Sequence, residues 1–189
     1  MTIDEVHRLI RSRRSVYPQQ YIQKEISDAV LKNILENANW APTHKMTQPW
    51  KFKVMKGASQ KAFGIFMSEK YRSIEKRESF SIAKYEKLKM NPQKAGALVA
   101  ICLERDSKER VPEWEEYASV AMAVQNMWLT CTAYGIGSYW STPSLIKYFG
   151  EFESLEPNER CIGLFYMGYH QPLASFPKRE AIEEKVKWL

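Results

Sequence analysis

Glycine-rich phosphate loops are missing from this chain. Gly135-Ile-Gly137-Ser-Tyr-Trp140 fails the dinucleotide pattern at its third glycine. Gly163 and Gly168 have the Walker spacing, but Tyr169-His170 stands where Lys and Ser or Thr are needed. The chain therefore brings no nucleotide cradle of its own. It also lacks Gly-x-Ser-x-Gly, so a nucleophile-elbow hydrolase is unsupported. Histidine is scarce: a multi-histidine metal site would need His7, His44 and His170 together. The 3 cysteines, Cys102, Cys131 and Cys161, are odd in number and widely spaced, with neither Cys-x-x-Cys nor a zinc spacing. Cys102 and Cys161 lie in apolar runs and read as buried packing residues. The longest apolar run, Ala97 to Leu103, is far too short to span a bilayer. The first residues lack the basic-then-apolar order of a signal peptide. These absences predict a cytoplasmic protein with no metal and no membrane partner.

What is present describes a folded enzyme-sized unit. Apolar residues make up 44% of the 189, which excludes disorder. That length suffices for a sizeable core. No repeat, low-complexity segment or linker interrupts it, so residues 1–189 are expected to form a single domain. The 6 Trp and 10 Tyr are many, and suit either the core or an interface and a planar ligand. Lys plus Arg number 28 against 22 acidic residues, a formal charge of +6 that favours anionic ligands. The basic residues alternate with acids, as in Glu69-Lys70-Tyr71-Arg72, which reads as a solvated helix face. A nucleic-acid partner would need them gathered on one stripe.

Periodicity predicts the elements. Ile3, Val6, Leu9 and Ile10 give a first helix ending near Arg13. Ser27 caps a second, whose stripe is Val30, Leu31, Ile34, Leu35 and Ala38, and Pro42 stops it. Residues 50–56 alternate as a half-exposed strand. Residues 59–89 form one or two charged helices, interrupted at Asn91-Pro92, with Phe63, Phe66 and Phe80 either covering a pocket or simply packing. Ala97–Leu103 and Cys161–Tyr169 are core strands, and Ser138–Ser141 is a short one. Pro112 opens a long helix with a stripe of Trp114, Tyr117, Ala121, Val124, Trp128 and Cys131. Its residues 118–133 are apolar nearly all round, so it runs either through a dimer interface or through the centre of a monomer. A last helix over Glu180–Leu189, with Ile182, Val186 and Leu189 on one side, needs a surface to dock on.

Two segments carry most of the functional information. Arg13-Arg14-Ser15 follows the first helix, where the arginines suit the dipole of a helix end. Residues 40–50 read Trp-Ala-Pro-Thr-His-Lys-Met-Thr-Gln-Pro-Trp. The pairing resembles the flavin-binding signature of the nitroreductase family. Ala-Pro-x-His-Lys before Gln-Pro-Trp, and a later Val111-Pro-Glu-Trp-Glu115, resemble a small NAD(P)H nitroreductase subgroup. The resemblance spans nearly the whole chain; only residues 59–95 are unmatched.

That resemblance implies an α+β fold, a mixed and mostly antiparallel sheet flanked by helices, in an intertwined homodimer with two FMN sites. It implies that Arg13, with Arg179 of the Pro177-Lys178-Arg179 segment, holds the phosphate, and that Arg14 and Ser15 meet the pyrimidine edge of the ring. Trp140, Ser141 and Thr142 are similar to a further contact on the flavin. Trp40 and His44 would reach it from the partner subunit. The chain departs from the pattern at Tyr17, where many members have Arg or Lys, and at Trp40, where the subgroup can have Arg. The activity implied is reduction of FMN by NADH or NADPH, then of a nitroaromatic, quinone or similar acceptor in a ping-pong cycle. The cofactor carries that chemistry, so no catalytic residue is expected from the chain. Alternatives are a storage or sensing flavin dimer without turnover, and a basic interaction domain without cofactor.

Overall fold

The computed structural model describes residues 2–173 and 178–189. Helix α1, Ile3–Ser12, starts at a capping box: Glu5 N–H donates to Thr2 Oγ1, and Thr2 N–H donates to Glu5. Helix α2, Asp28–Asn39, is capped by Ser27, whose hydroxyl accepts from Val30 N–H. Strand β1 is Trp50–Met55. Helices α3, Ala58–Ile74, and α4, Ile82–Lys94, form a hairpin. Strand β2 is Ala97–Glu104, helix α5 is Glu113–Ala133, and strands β3, Ile136–Ser141, and β4, Glu159–Tyr169, complete the sheet. No described helix is long and apolar enough to cross a membrane.

The strand order is β1-β2-β4-β3, and every ladder is antiparallel. The parallel component is one isolated bridge, Ser15 with Ser138, which lays the chain after α1 along the outer edge of β3. β2 is central and covered on both faces, which is why its sequence is one apolar run rather than an alternation. Val99, Ile101 and Leu103 face α2 and α5, and Leu98, Ala100 and Cys102 face α3 and α4. A bulge at Ile162 shifts the β2–β4 register, so that Ile101 opposes Gly163 and Cys102 opposes Cys161.

The first face is closed by Leu31, Ile34 and Ala38 of α2 and by Val120, Ala123 and Met127 of α5. Each fully buried aliphatic side chain there contributes about 1.5–3 kcal/mol. The second face is aromatic: Phe63, Phe149 and Phe152 pack edge-on, and Phe80 stacks on Tyr71. Phe63, Phe66 and Phe80 are therefore packing residues. α3 and α4 cross closely at Gly64, where a Cβ would overlap the Lys89 carbonyl.

Several expectations need correcting. Asn91-Pro92 does not interrupt the helix, because α4 continues to Lys94. Proline costs less so near a helix end, and Gln60 Nε2 donates to the carbonyls of Pro92 and Ala95 at 3.0 and 2.9 Å. The tail forms only a 3-10 turn over Ile182–Lys185, and Trp188 is 91% exposed. Among the described residues nothing covers its apolar side, so tertiary packing does not complete the helix. The heptad-spaced stripe of α5 also does not keep to one face. It begins exposed at Trp114 and Tyr117 and ends buried at Val124 and Cys131, since a 3.6-residue helix drifts against a seven-residue repeat. α1 buries no residue at all, and Ile3 and Ile10 stand open.

Candidate functional site

Residues 13–16 are sewn to the rim of the sheet and to α5. Val16 N–H donates to the Ser138 carbonyl at 3.1 Å. Trp128 Nε1–H donates to the Arg14 carbonyl at 3.1 Å, while its ring sits edge-on to Phe165. The Arg13 guanidinium lies 4.6 Å from the centre of the same Trp128 ring, a cation–π contact that fixes its direction. Arg14 donates to the carbonyls of Arg11 and Arg13 at 2.6 and 2.7 Å, so it closes the end of α1 as a helix-terminal cation should. Arg13 is held below the ordinary arginine value, first by burial and then by repulsion from Arg179 and Arg14. Arg13 and Arg14, neighbours in the chain, thus lie near enough to the distant Arg179 for their charges to oppose one another, beside the start of β3. Pro177, beside Lys178 and Arg179, lies outside the described residues.

At the other end of β3, Trp140 and Ser141 point to opposite faces. The Trp140 indole packs flat on Gly163, where a Cβ would overlap its nitrogen. Its Nε1–H is buried without a hydrogen-bond partner among the described residues. Such an orphan donor costs about 1–3 kcal/mol unless something accepts from it. Thr142 is exposed.

Trp40 and His44 are held elsewhere. Trp40 is 78% exposed and donates its indole N–H to Glu36 at 3.1 Å. His44 Nδ1 lies 2.6 Å from Glu115 Oε2, so the Ala-Pro-Thr-His-Lys and Val-Pro-Glu-Trp-Glu motifs meet in space. The His44 loop carries Lys45, Met46 and Gln48 at positive φ. Thr43 Oγ1 accepts from Gln48 N–H, and Lys45 Nζ donates to the Arg110 carbonyl. Left-handed backbone at non-glycine residues costs about 1–3 kcal/mol each and persists where the surroundings dictate it. His44 stands at the first turn of α5, and Arg13 stands at Trp128, 13 residues further along. That separates them by about 20 Å along the helix axis. One chain therefore does not bring all nine candidate residues together. It brings Arg13, Arg14, Ser15 and Arg179 beside the start of β3 and leaves Trp40 and His44 facing outward.

A cavity of about 410 Å³ opens beside Ser141 on the aromatic face, within the usual range for small-molecule sites. Tyr17, Tyr139 and Tyr166 form one wall, with ring centres 4.9 and 5.0 Å apart. Lys84, Lys87 and Asn91 of α4 form another. Of the nine candidates only Ser141 lines it. Tyr17 therefore replaces a cation with an aromatic wall. The α4 lysines were hidden in a stretch that reads as a solvated helix face, and the i, i+3 spacing of Lys84 and Lys87 was the available signal. Cys102, Cys131 and Cys161 are free and buried. Burial pushes the Cys131 thiol up to about 12, and hydrogen bonding to Cys161 with burial raises Cys102. Neither is a ready nucleophile.

A four-strand antiparallel sheet between helical layers, with a cationic cluster and an aromatic cavity along its edge strand β3, defines an α+β class. Within it, a family model described as the nitroreductase family matches residues 10–169. The chain belongs to that family. It is 26% identical over 179 residues to a Bacillus subtilis protein provisionally named an NAD(P)H nitroreductase, covering 94% of this chain and 90% of the relative. In fold it is similar to a nitroreductase-like family protein from Bacillus cereus, with a TM-score of 0.80, 23% identity and coverage of 100% and 98% of the two chains. It is also similar to the FMN-dependent nitroreductase of Mycobacterium smegmatis in complex with NADPH, with a TM-score of 0.79, 16% identity and coverage of 98% of each.

Proposed function

We propose that this protein is an FMN-dependent oxidoreductase that takes electrons from NADH or NADPH and passes them to a nitroaromatic, quinone or similar acceptor in a ping-pong cycle. The observation that carries the reading is the convergence of Arg13, Arg14 and Arg179. Arg13 has its charge disfavoured first by burial and then by Arg179 and Arg14, and a phosphate among them would offset that penalty. The Trp140 N–H, buried toward the other end of β3 with no hydrogen-bond partner among the described residues, is a second unsatisfied donor along that strand. The donor set thus fits a phosphate-bearing cofactor. FMN, when bound, supplies the two-electron chemistry. The chain supplies the rest. Arg13 and Arg179 neutralise the phosphate, Arg14 and Ser15 present donors to the ring's polar edge, and Trp140, Ser141 and Thr142 shape the opposite border.

In this reading residues 1–189 act as one domain within a homodimer. The open apolar side of α1, the exposed Trp114, Tyr117 and Met122 of α5, and the uncovered tail are surfaces that a second copy would bury. Trp40 and His44 then complete the partner's site. The wide separation of His44 from Arg13 within one chain supports that sharing.

The visible spectrum of the purified protein, followed by FMN titration and sedimentation at low micromolar concentration, tests the proposal. Flavin bands, a dimer and NAD(P)H oxidation are expected. A protein that neither retains nor takes up FMN overturns it. FMN bound without NAD(P)H oxidation would instead indicate a storage or sensing dimer.

A further inference from the structure

The flavoenzyme reading gives no task to the Val111-Pro-Glu-Trp-Glu115 motif. The motif opens α5, whose first turn carries Glu113, Glu115 and Glu116. Acids suit the dipole at a helix start, but the dipole does not explain why each carboxylate has its own partner. Glu113 pairs with Arg160, Glu116 pairs with Arg105, and Glu115 Oε2 lies 2.6 Å from His44 Nδ1. The turn that carries Glu115 is anchored in the interior. Glu116 is fully buried and accepts from Asp106 N–H at 2.9 Å, and Arg105 also donates to the Val111 carbonyl at 3.2 Å. The loop that carries His44 is tied to the same place, because Lys45 Nζ donates to the Arg110 carbonyl at 2.9 Å. Lys45, Met46 and Gln48 keep positive φ beside it, a strain that persists only where the surroundings over-determine the backbone.

An exposed imidazole left to itself exchanges rotamers and tautomers. A carboxylate at one ring nitrogen removes both freedoms. An ionised carboxylate only accepts, so Nδ1 must carry the hydrogen, and Nε2 becomes the nitrogen available to a ligand. Nε2 has no hydrogen-bond partner among the described residues, and the His44 side chain is 57% exposed. We propose that Glu115 is a positioning residue: it fixes the tautomer and the direction of His44, so that Nε2 meets the flavin bound with the second copy. The proposal rests on the flavoenzyme reading for what Nε2 meets, and on this chain alone for the tautomer. It gives the two motifs that meet in space one joint task.

Two measurements test it. The first is nitrogen-15 NMR of the histidine rings, about two pH units above the ordinary histidine value, with His44 assigned by the signal lost in His44→Ala. Wild type should show the Nδ1–H form, and Glu115→Ala should move toward the Nε2–H form that a free histidine side chain prefers. The second is FMN titration by fluorescence quenching. Glu115→Ala should weaken FMN binding about three- to ten-fold, the cost of ordering one more side chain on binding. The same substitution in the His44→Ala protein should add nothing, because Glu115 acts through the ring. Glu115→Gln keeps an acceptor oxygen and should retain both the tautomer and the affinity. A wild-type His44 in the Nε2–H form overturns the proposal. So does an equal loss from Glu115→Ala in both backgrounds, which would make Glu115 a support for the fold alone. Unchanged FMN affinity in Glu115→Ala also overturns it and leaves the contact a surface ion pair of little worth. If wild type takes up no FMN, the flavoenzyme reading fails, and the tautomer still decides whether Glu115 sets the state of His44.

Discussion

The two faces of the sheet solve the same packing problem with different side chains. Against α2 and α5 most residues are aliphatic, with Phe165 and Trp128 among them: Ala38, Ala97 and Ala123 let backbones approach, and Ile34, Val99 and Met127 fill what remains. Against α3 and α4 the residues are rings, meeting at angles from 18° for Tyr139 and Tyr166 to 65° for Phe63 and Phe152. Flexible aliphatic chains close their gaps, as interiors packed near crystal density require. Rigid rings leave a gap wherever no neighbour is shaped to fill it, and the 410 Å³ cavity lies among them. The tight face positions Arg13 through Trp128. The looser face offers room for a substrate.

The largest expected effect breaks the tight face. Ile34→Ala removes a fully buried side chain and should cost about 2–5 kcal/mol. Leu88→Ala, in the half-buried wall of the cavity, should cost less than about 1.5 kcal/mol. Urea midpoints at constant m-value measure both. Equal losses would mean that the cavity wall is packed as firmly as the aliphatic side.

Next comes Arg13→Ala, which probes what the tight face holds in place rather than the face itself. FMN affinity should fall about ten- to a hundred-fold, the cost of one charge-assisted hydrogen bond, with the unfolding midpoint little changed because the guanidinium is only part-buried. Fluorescence quenching on titration with FMN reads this directly. Unchanged affinity would make Arg13 a helix-end cation like Arg14.

His44→Ala should be the mildest. The side chain is 57% exposed and leaves no cavity, so stability should move by less than about 0.5 kcal/mol. Its effect should appear in the flavin spectrum or in turnover, as the proposed sharing of the site with a second copy requires. Wild-type spectra and kinetics would remove His44 from the site and weaken the argument for sharing.

Much of the fold was legible locally. Ser27 announces α2 because a hydroxyl at an N-cap satisfies a free N–H. The apolar run at 97–103 marks a strand covered on both faces. The structure departs from the sequence at Pro92 and the tail, since both depend on partners remote in sequence: Gln60 rescues the end of α4, and nothing among the described residues covers Ile182 and Val186. The site followed the same division. Arg13-Arg14-Ser15 and Ala41-Pro-Thr-His44 could be found by motif, whereas Trp128 as the seat of Arg13 and Lys87 beside the tyrosines could not.

By itself the sequence determined which segments form helices and strands and which residue types are available for an anionic, aromatic ligand, because capping, periodicity and side-chain chemistry act over a few residues. Only the tertiary structure decided that Arg13, Arg14 and Arg179 share one place while His44 stands about 20 Å away along α5. It also decided that Tyr17, Tyr139, Tyr166 and Lys87 enclose a cavity. Convergence of charges and rings depends on how the sheet and helices pack, and no local rule along the chain encodes it.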